Sequence, residues 1–112
     1  MNKVLLDEAS RLQEEAGLSD SDVARATGAA QSTARAWLNG SRSPSGERAE
    51  RLIELSALVE RLERIIQPEY IPVWLRKPVP ALDDEKPLDL IGRGDYRRVA
   101  RLISELEATT AS

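Results

Sequence analysis

Apolar residues recur along this chain at the three- and four-residue intervals of helices that bury one face. Leu5, Ala9, Leu12 and Ala16 form the first such stripe, which predicts a helix over residues 4–16 ended by Gly17. Val23, Ala24 and Thr27 share a face of a second helix, residues 20–27, and Ala34, Trp37 and Leu38 form the inner side of a third, residues 31–39. Residues 40–46 (GSRSPSG) are a loop by composition. Leu52, Ile53, Val59, Leu62 and Ile66 then cover one side of a longer helix over residues 47–67, with Leu55, Leu58 and Ile65 widening the stripe. Pro68 sets its limit, or a break between it and the next helix. So broad an apolar face must meet something further along the chain or on another subunit. Residues 68–75 are short, apolar and aromatic, and read as one or two helical turns; residues 76–80, with Pro78 and Pro80, read as extended. Pro87 opens a brief helix that Gly92 ends. Asp95 caps a last helix, residues 96–107, which carries Tyr96, Val99, Ile103 and Leu106 on one face and Leu102 at its edge. The tail, residues 108–112 (ATTAS), has no reason to order by itself.

The second and third helices repay closer reading. Ser19 and Asp22 are spaced for a reciprocal capping box, with Leu18 and Val23 at the flanking positions of a hydrophobic staple. Gly28 supplies the backbone freedom of a sharp reversal. Ala24 lets two helices approach, and Ala34 with Trp37 fills the angle between them. Such a pair is a helix-turn-helix, whose second helix enters the DNA major groove; an ordinary αα-hairpin is the alternative. Ala29 and Ala30 give the third helix no capping oxygen, a loss on the order of 1 kcal/mol. The pattern resembles the Xre-type family of bacterial regulators. On that reading Gln31, Ser32, Arg35 and Asn39 face base edges, with Arg42 and Arg48 on phosphate. Arg42 is otherwise a solvated loop charge, and Arg48 and Arg51 have Glu47, Glu50 and Glu54 close enough in sequence to pair with.

Composition narrows the chemistry. The 112 residues suit one domain, or two small lobes sharing a core. Neither Cys nor His is present, which removes disulfides, thiolate and imidazole metal sites and the common nucleophile–base pairs. Asp83-Asp84-Glu85 is the only dense carboxylate cluster, and it lies among turn formers as a solvated acidic loop. No enzyme, cofactor or metal is expected. With no signal-like or membrane-spanning stretch, the expected location is the cytoplasm. The net charge of −3 does not favour a nucleic-acid binder. Its distribution does: from residue 25 to 51 five Arg (25, 35, 42, 48, 51) stand against two acids (Glu47, Glu50), an excess of +3. So modest a patch calls for a homodimer or larger assembly on double-stranded operator DNA.

The second half carries a further resemblance. Trp74-Leu75, a Pro-bearing spacer, Leu82, the run Lys86–Ile91, then Tyr96, Val99 and Leu102-Ile103 are similar to the C-terminal domain of the MbcA/ParS/Xre antitoxins. The likeness covers about residues 18–106 and the order of both lobes, although the loop between Ile91 and Tyr96 is shorter than in many members. It implies an all-α fold with an Xre-like DNA-binding domain at residues 1–62 and a toxin-binding domain with its tail at residues 63–112. It further implies an antitoxin of a type II pair that covers the active-site mouth of a RES-domain toxin consuming NAD, or transferring ADP-ribose from it, and represses its own operon. Tyr70, Trp74 and Leu75 are then candidate partner anchors, though Trp74 also suits the core of the small lobe. Arg97 and Arg101, in a basic stripe with Arg93 and Arg98, either meet acidic toxin groups or are merely solvated. Thr109, Thr110, Ala111 and Ser112 are placed by the family likeness alone to enter the toxin's pocket. A stand-alone regulator whose second lobe only dimerises is the alternative.

Overall fold

The computed structural model describes residues 3–111. Each amphipathic stripe becomes a helix: α1 Lys3–Glu14, α2 Asp20–Thr27, α3 Gln31–Leu38, α4 Gly46–Leu62, α5 Ile71–Arg76, α6 Pro87–Gly92 and α7 Tyr96–Ala111. Single 3-10 turns, Pro68–Tyr70 and Pro80–Leu82, lead into α5 and follow it. Among the described residues there is no strand, only an isolated bridge between Val79 and Glu85. The protein is all-α, as the pattern requires.

One apolar cluster runs from Ala9 and Leu12 of α1 through Val23, Trp37, Leu52, Leu55 and Leu62 to Ile71, Leu88, Ile91 and Ile103. The wide face of α4 therefore meets both earlier and later elements: α1 and α2 on one side, α6 and α7 on the other. Helix α2 is the centre of the arrangement, packed against α3, α4 and α6. That is why it is buried on more than its predicted face, with Ala26 and Asp22 inside as well as Val23, Ala24 and Thr27.

Several boundaries differ from the sequence pattern. Helix α4 stops at Leu62, not at residue 67. There the Arg64 N–H turns to the Arg61 carbonyl and the Ile65 N–H to that of Leu62, tightening the turn. Gln67 is then extended, as a residue before proline prefers. Ile53 is half exposed, not in the core, because it sits a full 100° round the helix from Leu52. Ser56 replaces it on the inner side, donating to Glu8 and receiving Arg11 Nη2 at 2.6 Å. Helix α7 runs on to Ala111 instead of ending at Glu107. Arg61 of α4 grips the Glu107 carboxylate at 2.5 and 3.2 Å and Ser104 at 2.8 Å, so the helix is anchored where the tail begins and extends cooperatively.

Candidate nucleic-acid interface and partner surface

The turn between α2 and α3 forms as its residues dictate. The Ser19 hydroxyl accepts the Asp22 N–H at 3.2 Å, and the Asp22 carboxylate accepts the Ser19 N–H at 2.8 Å. Gly28 takes φ +77, and the N–H groups of Gly28 and Ala29 both close on the Ala24 carbonyl. Ala30 occupies the N-cap position of α3 and makes no side-chain cap, as expected. Ala34 and Trp37 are buried on the inner side of α3, which packs against α2 and α1, and Gln31, Ser32, Arg35 and, just past the end of the helix, Asn39 are left exposed.

Those four side chains are not equally free. Arg35 Nε donates to Asp20 Oδ2 at 2.9 Å, and Gln31 Nε2 donates to Asp20 Oδ1 at 3.1 Å. The Arg35 hydrogen bond, opposed by partial desolvation and helped by Gln31, holds the Asp20 carboxyl below its ordinary range. Asn39 Oδ1 accepts the Ser41 N–H at 2.9 Å, so part of its capacity closes the turn that leaves α3. Ser32 makes no hydrogen bond through its side chain among the described residues. Sequence reasoning missed Asp20, whose position gives no hint that it reaches residues eleven and fifteen places along.

Beside α3 lies an open cleft of about 680 Å³, lined by Thr27, Gly28, Thr33, Trp37, Ser43, Ser45, one acid, Glu47, and three arginines, Arg42, Arg48 and Arg51. Arg51 is tied to Glu47 at 3.6 Å and lies over Gly94, with its Nε buried and unpaired. Arg42 and Arg48 are exposed and have no acidic partner among the described residues, whereas Arg25 pairs with Asp89 at 3.4 Å. The cleft can therefore offer cationic N–H donors to an anion such as a DNA phosphate.

On the opposite half, Tyr70 is 63% exposed and, with Val73, Trp74, Ile66, Lys77, Pro78, Val79 and Pro80, lines an apolar groove. Trp74 is half-buried against the core and also walls the groove. Leu75 is fully buried and cannot anchor a partner; it faces inward one position on from Trp74, and the core claims it. The basic stripe divides. Arg93 pairs with Glu85 at 3.3 Å, and Arg98 with Asp83 at 3.0 Å and Asp95 at 3.5 Å. Arg97 and Arg101 are exposed without an acidic partner among the described residues. The acidic run thus serves the turn: Asp83 and Asp84 adopt left-handed φ of 57 and 62, which aspartate tolerates, and Asp83 pairs back to α7. Thr109 and Thr110 are exposed on the last turn of α7, their hydroxyls donating to Glu105 and Leu106 carbonyls. Ala111 is described through its backbone alone, and Ser112 lies outside the described residues.

Comparison with known proteins accords with this geometry. Residues 10–55 match the helix-turn-helix family HTH_3. The chain is 30% identical to the mycobacterial cidal antitoxin MbcA of Mycobacterium tuberculosis over 92% of its own length and 91% of that protein. A shorter match, 31% identical over 57% of the chain and 47% of the relative, is to the Prs ADP-ribosylating antitoxin of a Sphingobium species. Among solved structures, a chain of the M. tuberculosis MbcT–MbcA toxin–antitoxin complex superimposes with a TM-score of 0.80 at 28% identity, covering 95% of both chains. With a helix-turn-helix at its centre and similarity running almost end to end, the chain belongs to the MbcA family of antitoxins.

Proposed function

We propose that this antitoxin has two working faces. The face bearing α3 reads operator DNA and represses the antitoxin's own operon, with Gln31, Ser32, Arg35 and Asn39 at base edges and Arg42 and Arg48 on phosphates. The half beyond residue 62 binds a RES-domain, NAD-consuming toxin and blocks its active site. Tyr70 and Trp74 provide the apolar contact there, Arg97 and Arg101 the charged one, and the end of α7 reaches toward the toxin's mouth. A homodimer would double the cationic contacts on DNA.

The observation that carries this reading is the end-to-end likeness to a chain from a toxin–antitoxin complex, which extends through both halves and not the helix-turn-helix alone. The distribution of arginines supports it. Arg42, Arg48, Arg97 and Arg101, the four without an acidic partner among the described residues, fall on the two faces in question, while the other nine are engaged within the chain.

The test is NAD consumption by the cognate toxin, titrated with purified antitoxin. Wild-type chain in excess is expected to stop it. Tyr70→Ala, which removes an exposed ring without touching the core, is expected to raise the concentration needed about tenfold. A chain ending at Glu107 is expected to inhibit less than the full chain. Undiminished NAD consumption with excess wild-type chain would refute the inhibitory role.

A further inference from the structure

Asp20 occupies the first turn of α2, and its carboxylate stands between two of the side chains assigned to base reading. An acid on a DNA-facing surface calls for a reason, because it repels the phosphates that supply much of the affinity. The hydrogen-bond pattern supplies one. Asp20 engages Arg35 through Nε alone, at 2.9 Å. The two terminal nitrogens of the guanidinium make no hydrogen bond among the described residues. An arginine reads guanine bidentately through parallel N–H groups aimed at O6 and N7. Holding Nε from the side leaves the terminal pair free and fixes the plane in which it lies. The other carboxylate oxygen holds the Gln31 amide nitrogen at 3.1 Å, so one acid orients the first residue of α3 and the residue a turn later together.

We infer that Asp20 is a specificity-determining positioning residue: it orients Arg35 toward a guanine and restrains Arg35 from binding phosphates indiscriminately. The inference rests on the DNA-reading role proposed above. Its effect is on the ratio of specific to random binding. Without the carboxylate, Arg35 gains rotamers that reach the backbone of any duplex, and local repulsion of phosphate disappears. Affinity for random DNA then rises while preference for one base pair falls.

The test uses the full-length chain. Wild-type protein is first used to enrich binders from a pool of random-sequence duplexes. Affinities are then measured for the best duplex, for its single base-pair variants and for an unrelated duplex, with wild type, Arg35→Ala, Asp20→Ala and Asp20→Asn. Arg35→Ala identifies the base pair at which preference disappears. Asp20→Ala is expected to lose about tenfold in discrimination at that same pair, and to bind the unrelated duplex at least as tightly as wild type. Asp20→Asn, which keeps an acceptor oxygen for Nε, is expected to recover part of the discrimination. Thermal unfolding of each variant separates this from a structural effect, which would lower affinity for every duplex alike. Discrimination unchanged in Asp20→Ala while Arg35→Ala loses it, or equal loss on all duplexes, overturns the role of Asp20 and leaves DNA reading intact. If wild type enriches no sequence at all, DNA reading itself fails, and the role of Asp20 with it.

Discussion

Asp22 shows how much one side chain of this fold is asked to do. It closes the capping box with Ser19, is almost fully buried, and receives Arg76 Nε at 2.8 Å and Nη2 at 2.5 Å from the end of α5. Burial by itself pushes the Asp22 carboxyl up. The Arg76 guanidinium and the Ser19 backbone and hydroxyl donors more than offset this, and the carboxyl ends below its ordinary range. A carboxyl depressed in the folded state stabilises the fold above its unfolded value near 4. That contribution is lost as pH falls through the lower, folded value. Glu107, held down chiefly by the Arg61 hydrogen bond, acts in the same direction. Thermal melting of wild type is therefore expected to fall steeply below about pH 4, and Asp22→Asn to flatten that fall while starting from a lower plateau. An unchanged acid limb in Asp22→Asn would exclude the pair as its source. At neutral pH, Arg76→Ala leaves a buried carboxylate with only its cap and is expected to cost about 2 kcal/mol in urea unfolding. Arg76→Lys should fall between, since an ammonium cannot reproduce the two-pronged contact.

At the scale of elements the decisive contact is between α2 and α6, some sixty residues apart in the chain. A Cβ placed on Gly92 would lie 2.2 Å from the Arg25 carbonyl oxygen, so the two backbones approach as closely as only glycine permits. Gly92→Ala is expected to force the helices apart and to lose about 1–3 kcal/mol, read as a lower urea midpoint. Asp89→Ala on the same helix removes only the half-exposed pair with Arg25 and should change the midpoint little. If the two variants lose equally, the close approach is not what holds α6 in place. This contact marks the limit of what the sequence discloses. The capping box, the Gly28 turn and the inward Trp37 are written in neighbouring residues and were legible there. Gly92 reads along the chain as a helix stop, because the carbonyl that requires it belongs to α2. Ala26 and Asp22 look solvated until α6 and Arg76 arrive to cover them. The same distance hid Asp20, whose partners are on another helix, and Arg61, whose grip on Glu107 carries α7 through a tail that is polar when read alone. Leu75 failed as an anchor for a related reason: a short aromatic segment has no periodicity long enough to show which way each residue points.

Across the whole molecule, charge is placed rather than merely summed. A net −3 would repel DNA if spread evenly. Instead most acids are matched to arginines of the same chain, as in Arg11 with Glu8 and Glu63, Arg61 with Glu107, and Arg98 with Asp83. Among the arginines, Arg42 and Arg48 beside α3 and Arg97 and Arg101 on α7 have no acidic partner among the described residues. Phosphate contacts release counterions, so each appears in the salt dependence of DNA binding with a slope of about −0.9 per contact. The double variant Arg42→Ala/Arg48→Ala is therefore expected to reduce the slope of log K against log salt by about 2 per chain, similarly on specific and random duplexes. Arg97→Ala/Arg101→Ala should leave that slope where it was and weaken toxin inhibition instead. Because these four carry no internal ion pair among the described residues, neither double variant should shift the melting temperature by more than a surface change does, within about 0.5 kcal/mol. A slope that moves equally with both pairs would mean that the two halves do not present separate faces, and that DNA and toxin compete for one surface.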